Sequence, residues 1–149
     1  PVDTDQLFRH TYAELTSSIK DRNIEFTIKG VLPTVMADPI LLKQVVNNIL
    51  SNSIKFTRLR EKAVITVECE ENKDRYRFSV RDNGVGFDMK YASKLFGIFQ
   101  RLHSQNEYEG SGVGLATVKK IIDKHGGEIS INSIENEGTV VSFTLPIQP

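Results

Sequence analysis

Apolar positions along this chain recur with two periods, and the switches between them mark the elements. The longest helical stretch is DPILLKQVVNNILSNSIKFT, from Asp38 to Thr57. At about 100° per residue, Leu41, Leu42, Val45, Val46, Ile49 and Leu50 fill one half of its wheel. Asp38 is placed to act as N-cap and Pro39 suits the first helical position, so the start is predicted as well as the body. A second helix is predicted over residues 3–20 from Leu7, Phe8, Tyr12, Leu15 and Ile19. A third runs over 112–125 on Leu115, Val118, Ile121 and Ile122, stopped by Gly126-Gly127. Alternation predicts strands over 24–28, 63–70, 75–81, 128–133 and 139–145, with 71–74 turning the second into the third as a hairpin. Residues 30–37 and 57–62 read as connections. Lys90 to Phe99 carries a short helical pattern, and the aperiodic HSQNEYEG over 103–110 is expected to be a mobile loop or lid.

The long helix poses a question at its margin. Asn48, Asn52 and Lys55 fall within about 60° of one another at one edge of the apolar half, with Phe56 beside them on the apolar side. An unpaired amide costs roughly 1–3 kcal/mol to bury, so these groups need partners in a neighbouring loop or in a ligand.

Composition narrows the field. The 149 residues suit one α/β domain over 1–149, and the 19 acidic and 19 basic residues balance. That balance gives no broad field for nucleic acid or an anionic membrane. Cys69 is the single cysteine, which excludes an internal disulfide and suits a reducing, cytoplasmic compartment. No apolar run approaches the roughly 20 residues of a membrane span, so neither a span nor a signal peptide is expected within these residues. The chain begins at Pro1 rather than Met, so a longer parent is expected, which can itself be membrane-anchored.

Two glycine boxes carry the candidate chemistry. Asp82-Asn83-Gly84-Val85-Gly86 closes a strand and has two readings. It is the usual signal of a hairpin turn, or a backbone that lies flat against a planar ligand while Asp82 accepts from an exocyclic amino group. Gly110-Ser111-Gly112-Val113-Gly114 runs into a helix expected to start near Leu115. It is a flexible hinge, or a set of helix N-terminal amides poised for phosphate. Its spacing matches neither the dinucleotide fingerprint nor the P-loop. Together, the amide-bearing helix, the carboxylate turn and the phosphate-binding helix start fit ATP with Mg²⁺, an ion that takes oxygen ligands and few of them from protein.

In these residues the chain resembles the catalytic, ATP-binding domain of two-component sensor histidine kinases, in the superfamily shared with gyrase, the heat-shock chaperone and MutL. Asn48 to Phe56 resembles the N box, Asp82 to Gly86 the G1 box, and Lys94 to Leu102 the F box. Gly110 to Leu115 resembles the G2 box and Gly138-Thr139 the last glycine motif. The Phe99 to His103 run and the Gly110 box are most similar to phytochrome-type and PAS-linked members. The resemblance implies an α/β two-layer sandwich, the Bergerat fold, with a mixed sheet of about five strands under three helices and a lid over roughly residues 87–111. It implies that Asn52 ligates Mg²⁺, Asn48 holds the phosphate end and Lys55 contacts phosphate oxygens. Phe56 would line the adenine side, stacking without the hydroxyl of the tyrosine that many relatives carry there. Asp82 would accept from the adenine amino group, assisted by Thr139 through water. Gly84, Gly86, Gly110, Gly112, Gly114 and Leu115 would line the nucleotide, and Arg101 would stabilise the transferred phosphoryl group.

One residue separates reaction types. Gyrase-like hydrolases have a water-activating glutamate four positions before the metal-binding asparagine; here that position is Asn48, whose amide is no base near neutral pH. Phosphotransfer is therefore expected over hydrolysis. None of His10, His103 and His125 has the acidic residue and proline of the family's phosphoacceptor motif. The acceptor is expected on a separate dimerisation domain, with a response-regulator receiver downstream and little turnover by this chain alone. A catalytically inactive nucleotide-binding module and a free-standing ATPase are the alternatives.

Overall fold

Alternating strands leave one face of a sheet apolar, and the helices of this chain cover that face. The structure, a computed structural model, describes residues 1–86 and 111–147. In chain order the elements are β1 (Val2–Asp3), α1 (Thr4–Thr16), β2 (Ile24–Ile28), β3 (Thr34–Val35) and α2 (Pro39–Phe56). There follow β4 (Ala63–Glu71), β5 (Arg75–Asp82), α3 (Ser111–Lys124), β6 (Ile129–Ile134) and β7 (Gly138–Pro146). Five strands form a mixed sheet in the order β2-β4-β5-β7-β6, with β2 parallel to β4 and every other pair antiparallel. This is the expected two-layer α/β Bergerat architecture.

The core lies between the layers. Ile65, Val67, Phe78, Val80, Val141, Phe143 and Leu145 rise from the sheet against Phe8 of α1, Leu42, Val45, Val46, Ile49 and Leu50 of α2, and Val118 and Ile122 of α3. Phe78 stacks on Phe143 with ring centroids 5.0 Å apart. Burying each such side chain contributes about 1.5–3 kcal/mol. Helix α2 sits in the middle of the layer and is fastened at both ends. Asp38 Oδ1 accepts from the Ile40 and Leu41 amides at 2.9 and 3.1 Å, as its N-cap reading predicts. At the other end Arg22 donates to the Ile54 carbonyl at 2.7 Å and to Thr57 Oγ1 at 3.0 Å.

The structure departs from expectation in four places. Helix α1 ends at Thr16 rather than at residue 20. Thr16 and Ser17 turn their hydroxyls back onto the carbonyls of Tyr12 and Glu14, and Asp21 adopts φ 64°, so local side-chain bonds compete with the helix. The connection over 30–37 contains β3, which pairs antiparallel with β1 in the register Val2↔Val35 and Asp3↔Thr34. Two-residue strands are too short for alternation to reveal. Helix α3 begins at Ser111, so Gly112 and Gly114 lie inside its first turn rather than leading up to Leu115. Finally, Asp82 to Gly86 is not a hairpin turn, because both edges of β5 are already taken by β4 and β7. The expected lid, the short helix over 90–99, Arg101, His103 and Gly110 lie outside the described residues.

Candidate functional site

The site grows from the end of β5. Asp82 is the last residue of that strand, lies opposite Thr139 of β7, and points into the helix side with only 6% of its surface exposed. Its carboxylate accepts from the Gly84 amide at 2.8 Å, from the Ser53 hydroxyl of α2 and from the Thr139 amide. Burial pushes its pKa up from 3.8 to about 6, and these three hydrogen bonds limit the rise. At neutral pH it is a desolvated, pre-oriented acceptor.

The turn after Asp82 is pressed against the end of α2. The Val85 amide donates to the Phe56 carbonyl at 3.1 Å, and a Cβ on Gly84 would stand 2.5 Å from that same oxygen. Gly138, with φ 143°, passes so close to the Asp82 carbonyl that a side chain would overlap it. These glycines are therefore demanded by backbone meeting backbone, whatever else they contact. Asn83 locks the base of the turn, accepting from the Val64 amide at 2.8 Å and donating to the Lys62 carbonyl at 2.9 Å. Thr139 is buried and its hydroxyl is 2.8 Å from that of Ser133.

Along α2 the flank continues away from this turn. Asn48, Asn52, Lys55 and Phe56 are all half-buried there. Neither amide side chain of Asn48 and Asn52 has a hydrogen-bond partner among the described residues, so no described loop satisfies them. Asn48 also borders a cavity of about 550 Å³ with Pro39, Ile40, Lys43, Gln44 and Asn47. A second cavity, of about 300 Å³, is lined by Val64, Thr66, Arg81, Asn132 and Val140 of the sheet and by Asp82, Asn83, Ile134, Glu137, Gly138 and Thr139 at the strand ends and turns.

The fold thus brings Phe56, Asp82, Gly84 and Thr139 into one cluster and sets Asn48, Asn52 and Lys55 along the helix leading from it. Gly86 joins the cluster through the Ile134 carbonyl, which a Cβ there would overlap. Leu115 is 2% exposed and packs in the helix layer, and Gly112 and Gly114 contribute backbone to the first turn of α3. Sequence reading passed over Ser53, Asn83 and Ser133. Ser53 had a signal, a hydroxyl set on the apolar stripe four residues after Ile49. Ser133 had none, because its partner is chosen by strand register.

Residues 37–149 match the family described as histidine kinase-, DNA gyrase B-, and HSP90-like ATPase. Cyanobacterial phytochrome A of Nostoc sp. is 47% identical over 116 residues, 78% of this chain and 15% of that protein. Phytochrome-like protein Cph1 of Synechocystis sp. is 39% identical over 146 residues, 98% of this chain and 19% of that protein. This chain spans less than a fifth of the length of either relative. Among solved structures, the nucleotide-free catalytic domain of histidine kinase ThkA aligns with a TM-score of 0.82 at 30% identity, covering 99% of this chain and 97% of that one. Full-length ShkA in complex with AMPPNP aligns with a TM-score of 0.80 at 28% identity, over 98% of this chain and 30% of that one. Fold, box order and sequence likeness agree, and the chain belongs to the histidine kinase-, DNA gyrase B- and HSP90-like ATPase family, within its histidine-kinase branch.

Proposed function

We propose that this chain is the catalytic domain of a two-component kinase that binds Mg-ATP and donates the γ-phosphoryl group to a histidine on a separate dimerisation domain. The observation that carries the reading is the buried Asp82 carboxylate, held by three donors at the foot of a helix flank whose two asparagine amides lack described partners. An acceptor-only group at that depth suits the amino group of adenine and rejects a carbonyl in its place. Phe56 stacks on the ring, Thr139 assists through water, and the amides opening α3 meet phosphate with the favourable end of the helix dipole.

The donor set fits the metal as well. Asn52 offers one amide oxygen to Mg²⁺, whose remaining ligands are phosphate and water. Asn48, one turn earlier, holds the phosphate end, and Lys55 and Arg101 neutralise phosphate charge. Bound Mg-ATP supplies the transferable group; the chain's own residues position it and offset its charge, which are the main catalytic terms in phosphoryl transfer. With an amide rather than a carboxylate at position 48, no base is placed to activate water, which favours transfer over hydrolysis. A response-regulator receiver domain is the downstream partner.

The test mixes this domain with the dimerisation domain of its parent and γ-labelled ATP. Acid-labile label on histidine of the acceptor is expected. Steady release of phosphate without labelled histidine overturns the reading in favour of an ATPase. Nucleotide binding with neither product leaves an inactive binding module.

A further inference from the structure

Arg60 lies in the loop after α2, outside every sequence box, yet it reaches both turns that frame Asp82. Its Nε donates to the Asn83 carbonyl at 2.8 Å and an Nη2 hydrogen to the Gly84 carbonyl at 3.0 Å. Nη2 also donates to the Asn136 carbonyl in the β6–β7 turn. Arg60 is half-buried, and these three backbone carbonyls are its hydrogen-bond partners among the described residues.

The peptide planes show why this matters. The carbonyl of Asn83 and the amide of Gly84 belong to one rigid peptide unit. Arg60 holds its oxygen, and its N–H is the donor to Asp82 Oδ1 at 2.8 Å. The next unit repeats the arrangement: Arg60 holds the Gly84 oxygen, and the Val85 amide donates to the Phe56 carbonyl at 3.1 Å. The third contact fixes the β6–β7 turn, whose Asn136 amide donates to the Val85 carbonyl and which leads directly into Thr139. One planar fork with several fixed donors can hold all three planes together; a lysine ammonium, a single point of charge, cannot span them. Linked hydrogen bonds of this kind also polarise one another.

We propose that Arg60 is a positioning residue for base selectivity: by fixing the peptide planes of the Asp82–Gly86 turn it aims the Asp82 carboxylate at the purine and so sets the preference for ATP over GTP. The inference rests on the reading of Asp82 as the adenine contact. Adenine presents an amino donor where guanine presents a carbonyl acceptor. A carboxylate held in one orientation accepts from the first and repels the second, and a carboxylate free to swing away discriminates less. The phosphate end, on the flank of α2, makes no use of Arg60.

The experiment is calorimetric titration of Mg-ATP and Mg-GTP into the wild-type chain, Arg60→Met, Arg60→Lys, Asp82→Ala and the Arg60→Met/Asp82→Ala double variant, with a thermal melt of each. Arg60→Met is expected to lower ATP affinity about tenfold while GTP affinity changes little, so the ratio collapses. Arg60→Lys keeps the charge and stem, carries the test if Arg60→Met does not fold, and is expected to give an intermediate ratio. The double variant is expected to show the ratio of Asp82→Ala alone, because Arg60 acts through that carboxylate. Equal weakening of both nucleotides, a wild-type ratio in Arg60→Lys, or effects that multiply in the double variant overturn the inference. A wild-type chain that binds ATP and GTP equally overturns the Asp82 reading itself, and this inference with it.

Discussion

Asp82 keeps its charge against its surroundings, and that has consequences for stability as well as binding. Burial raises its folded pKa from 3.8 to about 6, so the folded state binds the proton more tightly than the unfolded chain. The stability that goes with protonation is fully present below about pH 4 and is lost as pH rises to about 6. Asp82→Asn, which cannot ionise, should therefore match the wild-type chain near pH 4 and exceed it by about 2–3 kcal/mol at pH 7 in the absence of nucleotide. Urea denaturation of both proteins across pH 4–8 reads this directly, and a pH-independent difference would sink the account. The same variant should lose preference for ATP, a trade of function for stability. At the metal end, Asn52→Ala should abolish Mg²⁺-dependent ATP binding while moving stability by no more than about 0.5 kcal/mol, since its half-buried amide has no described partner to orphan. Calorimetry with and without Mg²⁺ checks the first claim and a melt the second. At this scale the sequence was informative about where polar groups stand at the margin of the core, because amides and carboxylates there are costly anomalies. It was silent about Ser133 and Arg60, whose partners lie on other elements.

At the scale of elements, α2 was legible from end to end because its signals are local. The Asp38 cap, Pro39 and the apolar stripe need nothing beyond the helix itself, and the observed Pro39–Phe56 follows them. The fastening of its C-terminus was not legible, since Arg22 arrives from the α1–β2 connection. Removing that fork leaves the Ile54 carbonyl with only the longer bond from the Thr57 hydroxyl, at 3.1 Å, among the described residues, and takes one partner from that fully buried hydroxyl. Arg22→Met should cost about 1–2 kcal/mol in urea denaturation, with loss of nucleotide affinity as the end bearing Lys55 and Phe56 frays. An unchanged midpoint would show that water replaces the guanidinium without penalty. Helix α1 ended early where hydroxyls bond backward to carbonyls, a competition that apolar periodicity does not register.

For the whole molecule, the decisive step is the order β2-β4-β5-β7-β6, which sets the end of β5 between β4 and β7 and next to the end of α2. That placement turns an Asn83-Gly84 pair with the look of a hairpin into a turn wedged among three elements. Gly138 and Gly86 are equally tight points of the wedge, each with a carbonyl where a Cβ would stand. Gly138→Ala would drive a methyl into the Asp82 carbonyl at an unfavourable φ, and should cost about 1–3 kcal/mol or more and weaken ATP binding, both read by melting with and without nucleotide. A tolerated alanine would mean the turn can shift by the overlap without loss. The sequence alone determined the helices, the five main strands, the apolar face that joins them and the chemical types gathered at its margin, because periodicity, caps and side-chain chemistry are short-range properties. The tertiary structure alone decided the parallel β2–β4 pairing, the small β1–β3 sheet and the closure of the Asp82 turn by Ser53, Thr139 and Arg60. Those contacts join residues up to tens of positions apart, and only packing chooses among such pairings.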